Sequence, residues 1–142
     1  MSEISIIGGI TADIEGNPYN QLIYGDSNPG KITLSYGGVG RNITENLARM
    51  GASVSFVSVA GDDFPGRGAV IELKELGVNV EKVKLLPEEN TAVYMSILNM
   101  VGDMEIALCN MDVLERISSN LIDEEDSIRL SQTEWRLKFF RG

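Results

Sequence analysis

The sequence predicts an α/β fold: a mostly parallel sheet with helices on its faces, joined to a smaller antiparallel sheet. Two observations predict it. From Ile4 to Val83, β-rich runs alternate with stretches of helical spacing, the pattern of strands linked by crossover helices. Beyond Pro87, two further strand-like runs flank Val101-Gly102-Asp103, a hairpin signal that belongs in a sheet of its own.

Ile4 to Ile7 is a short apolar run ending at Gly8-Gly9, which reads as a buried opening strand. From Thr11 to Leu34, polar and apolar residues mix. Turns are expected at Gly16-Asn17-Pro18 and Ser27-Asn28-Pro29-Gly30, between short, partly exposed β segments. Helical spacing starts after Gly37–Gly40, with Ile43, Leu47 and Met50 as the expected apolar face and Gly51 as the C-terminal cap. Val54 to Val59 reads as a strand and Gly61-Asp62-Asp63 as a turn. Pro65 then opens a helix striped by Val70, Leu73 and Leu76 and ended by Gly77. A strand is expected over Val78–Val83. Pro87-Glu88-Glu89-Asn90 breaks the alternation, and Thr91–Leu98 and Met104–Leu108 form the hairpin. From Leu121 the chain is first acidic and then without a period, ending Trp135-Arg136-Leu137-Lys138-Phe139-Phe140-Arg141-Gly142. It fits nowhere in the alternation.

Composition narrows the function. The chain has 142 residues, enough for one domain, and 43% are hydrophobic, enough for a packed core. A net charge of -9 disfavours nucleic acid as a partner, since phosphate contacts need clustered Lys and Arg. The absence of histidine removes Ser-His-Asp and Cys-His catalysis and the commonest zinc sites, so no metal site is expected. Cys109 is the single cysteine, Met1-Ser2-Glu3-Ile4 lacks a basic leader, and no apolar run approaches the roughly 20 residues of a membrane span. These features fit a cytoplasmic protein with no membrane partner.

The strongest local feature is Gly37-Gly38-Val39-Gly40-Arg41-Asn42 running into a helix. Glycines let the backbone approach a ligand, and a helix start offers unpaired N–H groups. Asn42 adds a side chain that both donates and accepts, as a sugar hydroxyl requires. The glycines alone would equally suit a plain tight turn. Asp13, just after the first strand, stands where α/β proteins bind ligands and could accept from a vicinal diol. An exposed loop carboxylate is the plainer reading of that residue taken singly. Gly25-Asp26-Ser27-Asn28-Pro29-Gly30-Lys31-Ile32 nearly spells a phosphate loop. However, Ile32 replaces the metal-binding hydroxyl, Pro29 removes an N–H, and no helix pattern follows.

Three stretches together go further: Gly37–Asn42, Glu45-Asn46-Leu47-Ala48-Arg49-Met50-Gly51-Ala52, and Val59-Ala60-Gly61-Asp62-Asp63-Phe64-Pro65-Gly66. They resemble the first signature of the PfkB (ribokinase-like) carbohydrate kinases. The Gly-Gly-Val-Gly-Arg-Asn version, with Thr91–Asn99 and Gly102-Asp103-Met104-Glu105, looks most like the family's pseudouridine kinases. The resemblance covers about Ile4 to Ile117. It implies a three-layer α/β/α domain with a small β lid over a sugar site. Asp13, Gly37, Gly38 and Asn42 would be the substrate-binding residues and the lid a homodimer contact. The implied activity is phosphorylation of a ribose-like or pseudouridine-like hydroxyl, with ATP and Mg²⁺ as cofactors.

The family's Asp-Thr-x-Gly-Ala-Gly-Asp segment, which would supply the catalytic base and anion hole, does not occur in these residues, so no catalytic residue is assigned. Pseudouridine kinases tend to carry Asn-Asp-Met where this chain has Cys109-Asn110-Met111, which leaves the substrate open. The expected division is a substrate-binding part over 1–118, with lid segments about 11–36 and 90–109, and an atypical tail over 119–142 from a truncation or frameshift. The chain alone is expected to be inactive. A non-catalytic sugar-binding or assembly module is the alternative reading.

Overall fold

The computed structural model describes residues 4–118 and residue 121. The element order is β1 (Ile4–Ile7), β2 (Thr11–Pro18), β3 (Gly30–Gly37), α1 (Val39–Arg49), β4 (Val54–Gly61), α2 (Phe64–Glu75), β5 (Val83–Leu86), β6 (Ala92–Leu98) and β7 (Met104–Asn110). A short 3₁₀ turn over Asp112–Arg116 follows. Apart from Leu121, the tail expected to be atypical lies outside the described residues.

Two sheets form. In the first, β1, β4 and β5 lie side by side in that order, and both pairings are parallel. The second has the order β3-β2-β6-β7. Its outer pairings are antiparallel, and its central one, β2 with β6, is parallel.

β4 is buried along its whole length, as its valine-rich sequence requires. Alternation splits it between two cores. Phe56 and Ala60 face Ile10, Ala69 and Leu73, with Ala48 of α1, Val70 of α2 and Leu76 just past its end packed against them. Val57 and Val59 face Ala92, Val113 of the 3₁₀ turn and Leu121. Among the described residues, both helices therefore pack into one core and the 3₁₀ turn into the other.

Three local expectations need correction. The apolar face expected on α1 is the outer one, with Ile43 45% and Met50 81% exposed. Gly40, Thr44 and Ala48, four residues apart, face inward instead. Gly40 lies so close to Gly8 that a Cβ on either would sit 2.7 Å from the other's Cα. A small-residue stripe lets α1 lie flat on the end of β1, and larger apolar side chains are left outside.

The strand expected over Val78–Val83 is interrupted. Asn79 makes a single bridge to Ser55, then accepts from the Glu81 N–H through its side chain at 3.1 Å. That Asx turn delays β5 to Val83. Gly16-Asn17-Pro18 is not a turn either, because β2 runs through it. The Tyr19 N–H donates to the Pro29 carbonyl at 3.0 Å, so the Pro18 nitrogen faces the other side. The ladder to β6 has already ended there, at Gly16, and no bond is lost.

Candidate functional site

The carboxyl end of the parallel sheet, the start of α1 and the root of the second sheet meet at Gly37 and Gly38. Gly38 has φ 99°, a conformation that favours glycine, and a Cβ there would sit 2.3 Å from the Gly9 carbonyl oxygen. No side chain caps α1, whose N-cap is Gly38, so the N–H groups of its first turn have no intrahelical partner.

Asp13 lies on β2, and its carboxylate covers the bare face of Gly37. A Cβ there would meet Asp13 Oδ2 at 2.1 Å and Thr11 Oγ1 at 2.9 Å. The Thr11 hydroxyl donates to Asp13 Oδ1 at 2.9 Å, which fixes one oxygen and leaves the other for a ligand. The strand ladder sets this up: Thr11 opposes Gly37 and Asp13 opposes Ser35, and residues two apart share a face.

Asn42 stands one turn into α1. Its N–H donates to the Gly38 carbonyl at 2.9 Å, and its side chain is exposed. Its Oδ1 accepts from Arg41 Nη1 at 3.3 Å, which leaves the amide N–H₂ to donate outward. Of the four residues singled out from sequence, Asp13, Gly37 and Gly38 meet at one glycine-rich corner, and Asn42 joins it through its backbone bond to Gly38, with no hydrogen bond to Asp13 among the described residues.

Sequence reasoning missed three participants. Thr11 was readable as the residue two before Asp13 on the same strand face. Arg41 is 5% exposed and ion-paired with Glu45 on its own helix and, at 2.9 Å, with Glu72 on α2. Nothing in a lone Arg beside Asn foretells that burial. Its Nε and the neighbouring Thr44 hydroxyl are buried and have no hydrogen-bond partner among the described residues.

The third participant is the Asp63–Thr91 pair at the root of β6. Asp63 caps α2 by accepting from the Gly66 N–H at 2.9 Å. It also accepts from the Thr91 N–H at 2.8 Å and the Thr91 hydroxyl at 2.5 Å. Burial pushes the Asp63 carboxyl up, but these hydrogen bonds outweigh it and hold the pKa below the ordinary value. Asp followed by Pro65 and Gly66 was a legible helix-start signal. Its link to Thr91 was not.

The second sheet has two unlike faces. With Asp13 lie Ser35 and Thr33 on β3, Glu15 on β2, Tyr94 and Ser96 on β6, and Cys109 on β7. The opposite face carries Ile32, Leu34, Met95, Ile97, Ile106 and Leu108, all more than a third exposed. Two shallow hollows lie elsewhere, and neither includes Asp13, Gly37, Gly38 or Asn42. One, of about 240 Å³, is ringed by Glu45, Arg49, Glu72 and Glu75. The other, of about 450 Å³, lies along Phe64, Arg67 and Ile71.

The residues that resembled a phosphate loop do not form one, since Gly30 and Lys31 enter strand β3. No helix of the described residues is long and apolar enough to cross a membrane.

Residues 1–134 match the family model described as pfkB family carbohydrate kinase. The chain is 39% identical over 119 residues to the pseudouridine kinase of Escherichia coli (strain K12), a match covering 84% of this chain and 38% of that protein. It is 35% identical over 108 residues to the guanosine-inosine kinase of Exiguobacterium acetylicum, covering 76% of this chain and 36% of that one. The ribokinase of Giardia lamblia shares the fold, with a TM-score of 0.75 over 85% of this chain and 39% of that one, at 21% identity. The chain thus spans less than two fifths of the length of the curated relatives it matches.

Proposed function

The chain belongs to the pfkB family of carbohydrate kinases, and from that premise we propose that it forms the substrate-holding part of an enzyme that phosphorylates a sugar or nucleoside hydroxyl with ATP. The observation that carries the reading is the Asp13 carboxylate laid on the bare face of Gly37, with Thr11 holding one of its oxygens. That leaves an acceptor for two adjacent hydroxyls. Asn42 and the uncapped start of α1 supply donors beside it. The second sheet acts as a lid, with its polar face toward the sugar to exclude water.

Residues 1–118 form this unit, with 11–36 and 90–109 as the lid. The lid's apolar face, with open edges at β3 and β7, suits pairing with a second copy. The single exposed thiol, Cys109, suits the reducing cytoplasm.

ATP and Mg²⁺ are the cofactors that the family resemblance implies. The glycine-lysine stretch of this chain leads into a strand, and the base and anion hole that the resemblance implies have no counterpart in these residues. We therefore assign this chain binding and positioning of the sugar and no step of phosphoryl transfer.

The test is calorimetric titration of the purified chain with D-ribose and with pseudouridine, beside an ATP-consumption assay. Binding without turnover is expected, and Asp13→Ala should abolish the binding. Without a positioned base the rate falls by roughly 10²–10⁴-fold, below detection for a kinase. Binding indifferent to Asp13→Ala, or turnover abolished by it, overturns the proposal.

A further inference from the structure

The ladders of the lid place one aromatic ring directly beside the proposed sugar carboxylate. On β2, Asp13 opposes Tyr94 of β6, and Tyr94 in turn opposes Cys109 of β7. The row across the sheet reads Ser35, Asp13, Tyr94, Cys109. Neighbouring strands lie about 4.7–4.9 Å apart, so Asp13 and Tyr94, paired across the parallel ladder, are immediate neighbours.

The Tyr94 hydroxyl donates to the Met104 sulfur at 3.3 Å. Met104 opposes Leu98, four residues along β6 and just past the register shift between Ile97 and Leu98, so this bond draws the ring along the sheet instead of letting it stand off. Ser96, between them on that face, is 8% exposed, whereas Tyr94 keeps 37% of its surface open. A ring drawn along the strand, with more than a third of the residue open, has a π-face to offer to solvent.

We propose that Tyr94 is a specificity-determining residue: its open face stacks on the planar base of a nucleoside whose ribose is held at Asp13. The inference rests on the sugar-site reading above and sharpens it, because a free sugar has no flat group to cover the ring. Its chemistry needs no named base. Every nucleobase has a π-face, and stacking on an aromatic side chain tolerates the identity of the base. Stacked bases typically lose about 1–3 kcal/mol when the aromatic is removed, or about 5- to 150-fold in affinity. The hydroxyl is occupied by Met104 and contributes little to a stack, so phenylalanine should serve as well as tyrosine.

The experiment titrates the full 142-residue chain with pseudouridine and with D-ribose by calorimetry, using wild type, Tyr94→Leu, Tyr94→Phe and Asp13→Ala. Circular dichroism confirms that each variant is folded. Wild type should bind pseudouridine more tightly than ribose. Tyr94→Leu should weaken pseudouridine at least about fivefold and leave ribose unchanged, and Tyr94→Phe should retain both. Asp13→Ala should lose both ligands. If Tyr94→Leu weakens both ligands equally, or neither, the platform is refuted while the sugar site stands. If wild type binds neither ligand, or Asp13→Ala changes nothing, the sugar site fails and the platform with it.

Discussion

Asp63→Ala should be among the most damaging single changes in the described chain, although Asp63 is itself only partly buried. Three bonds end on its carboxylate: the Gly66 N–H that caps α2, and the N–H and hydroxyl of Thr91 at the root of β6. Losing an N-cap costs about 1 kcal/mol. Thr91 is 2% exposed, so its N–H is left buried without a partner, at a cost of about 1–3 kcal/mol. Its hydroxyl costs less to free, because the Gly61 carbonyl at 3.4 Å can take the proton. Asp63 itself is half exposed, and water entering the gap trims the sum to about 2–4 kcal/mol, a large share of a typical 5–15 kcal/mol domain stability. Guanidinium unfolding followed by circular dichroism measures it. Thr91→Val, alone and combined with Asp63→Ala, should show coupling of at least about 0.5 kcal/mol. A loss below about 0.5 kcal/mol for Asp63→Ala, or strict additivity of the pair, would refute the claim that this carboxylate ties the lid to the body.

Three further outcomes follow from particular residues. Gly37→Ala should displace the Asp13 carboxylate, which would lie 2.1 Å from the new Cβ; sugar affinity by calorimetry should fall about tenfold or more, at a folded-state cost of about 1–3 kcal/mol. Leu108→Glu, on the exposed apolar face of edge strand β7, should convert a dimeric wild type to monomer in light scattering, and a monomeric wild type would refute pairing through the lid. Glu45 and Asp62 are held below the ordinary carboxylate range mainly by hydrogen bonds from Arg49 and Arg67, and Asp63 by its bonds from Thr91 and Gly66. Folded pKa values below the unfolded ones contribute stability that is complete above about pH 5 and lost as pH falls through the folded values, so unfolding midpoints should be level from pH 5 to 7 and drop below about pH 4.

Much of the fold was legible because β4 is a continuous β-rich run, a turn signal separates the two strands of the hairpin, and α2 carries its apolar residues at helical spacing. Asp63, Pro65 and Gly66 mark the start of α2 and Gly77 its end. The misreadings share one cause, which is that local signals do not report what a segment packs against. Ile43 and Met50 look like a core face, but contact between Gly8 and Gly40 at the start of α1 turns the small residues inward. Pro18 looks like a turn, but it falls just past the ladder to β6, where a missing N–H costs nothing. The corner of the site was legible as residue types, since Gly37, Gly38, Asp13 and Asn42 are chemically unusual together. Of its working parts, Thr11 on Asp13 follows from one strand face, Arg41 on Asn42 comes with a burial that no local signal reports, and Thr91 on Asp63 joins residues far apart in sequence.

Register also separates the two roles proposed for the second sheet. Neighbouring residues of β2 point to opposite faces, so Asp13 looks toward the sugar corner with Tyr94 while Ile14 looks away with Leu34 and Met95. A slip of one residue would exchange the faces, carrying Asp13 onto the apolar surface and Ile14 into the site. Only a few contacts fix that choice at the sheet's root. Gly37 accepts the Asp13 carboxylate because it has no side chain, and Asp63 grips Thr91 just before β6 begins. The bond from Gly61 N–H to the Thr91 hydroxyl, at 3.1 Å, ties the same residue to the end of β4. The two loci act on different strands, one on β3 and one on β6, with β2 held between them. Loosening either should cost ligand selectivity and stability together, because Ala92 of β6 packs in the core around Val57 and Tyr36 of β3 packs against the core around Phe56.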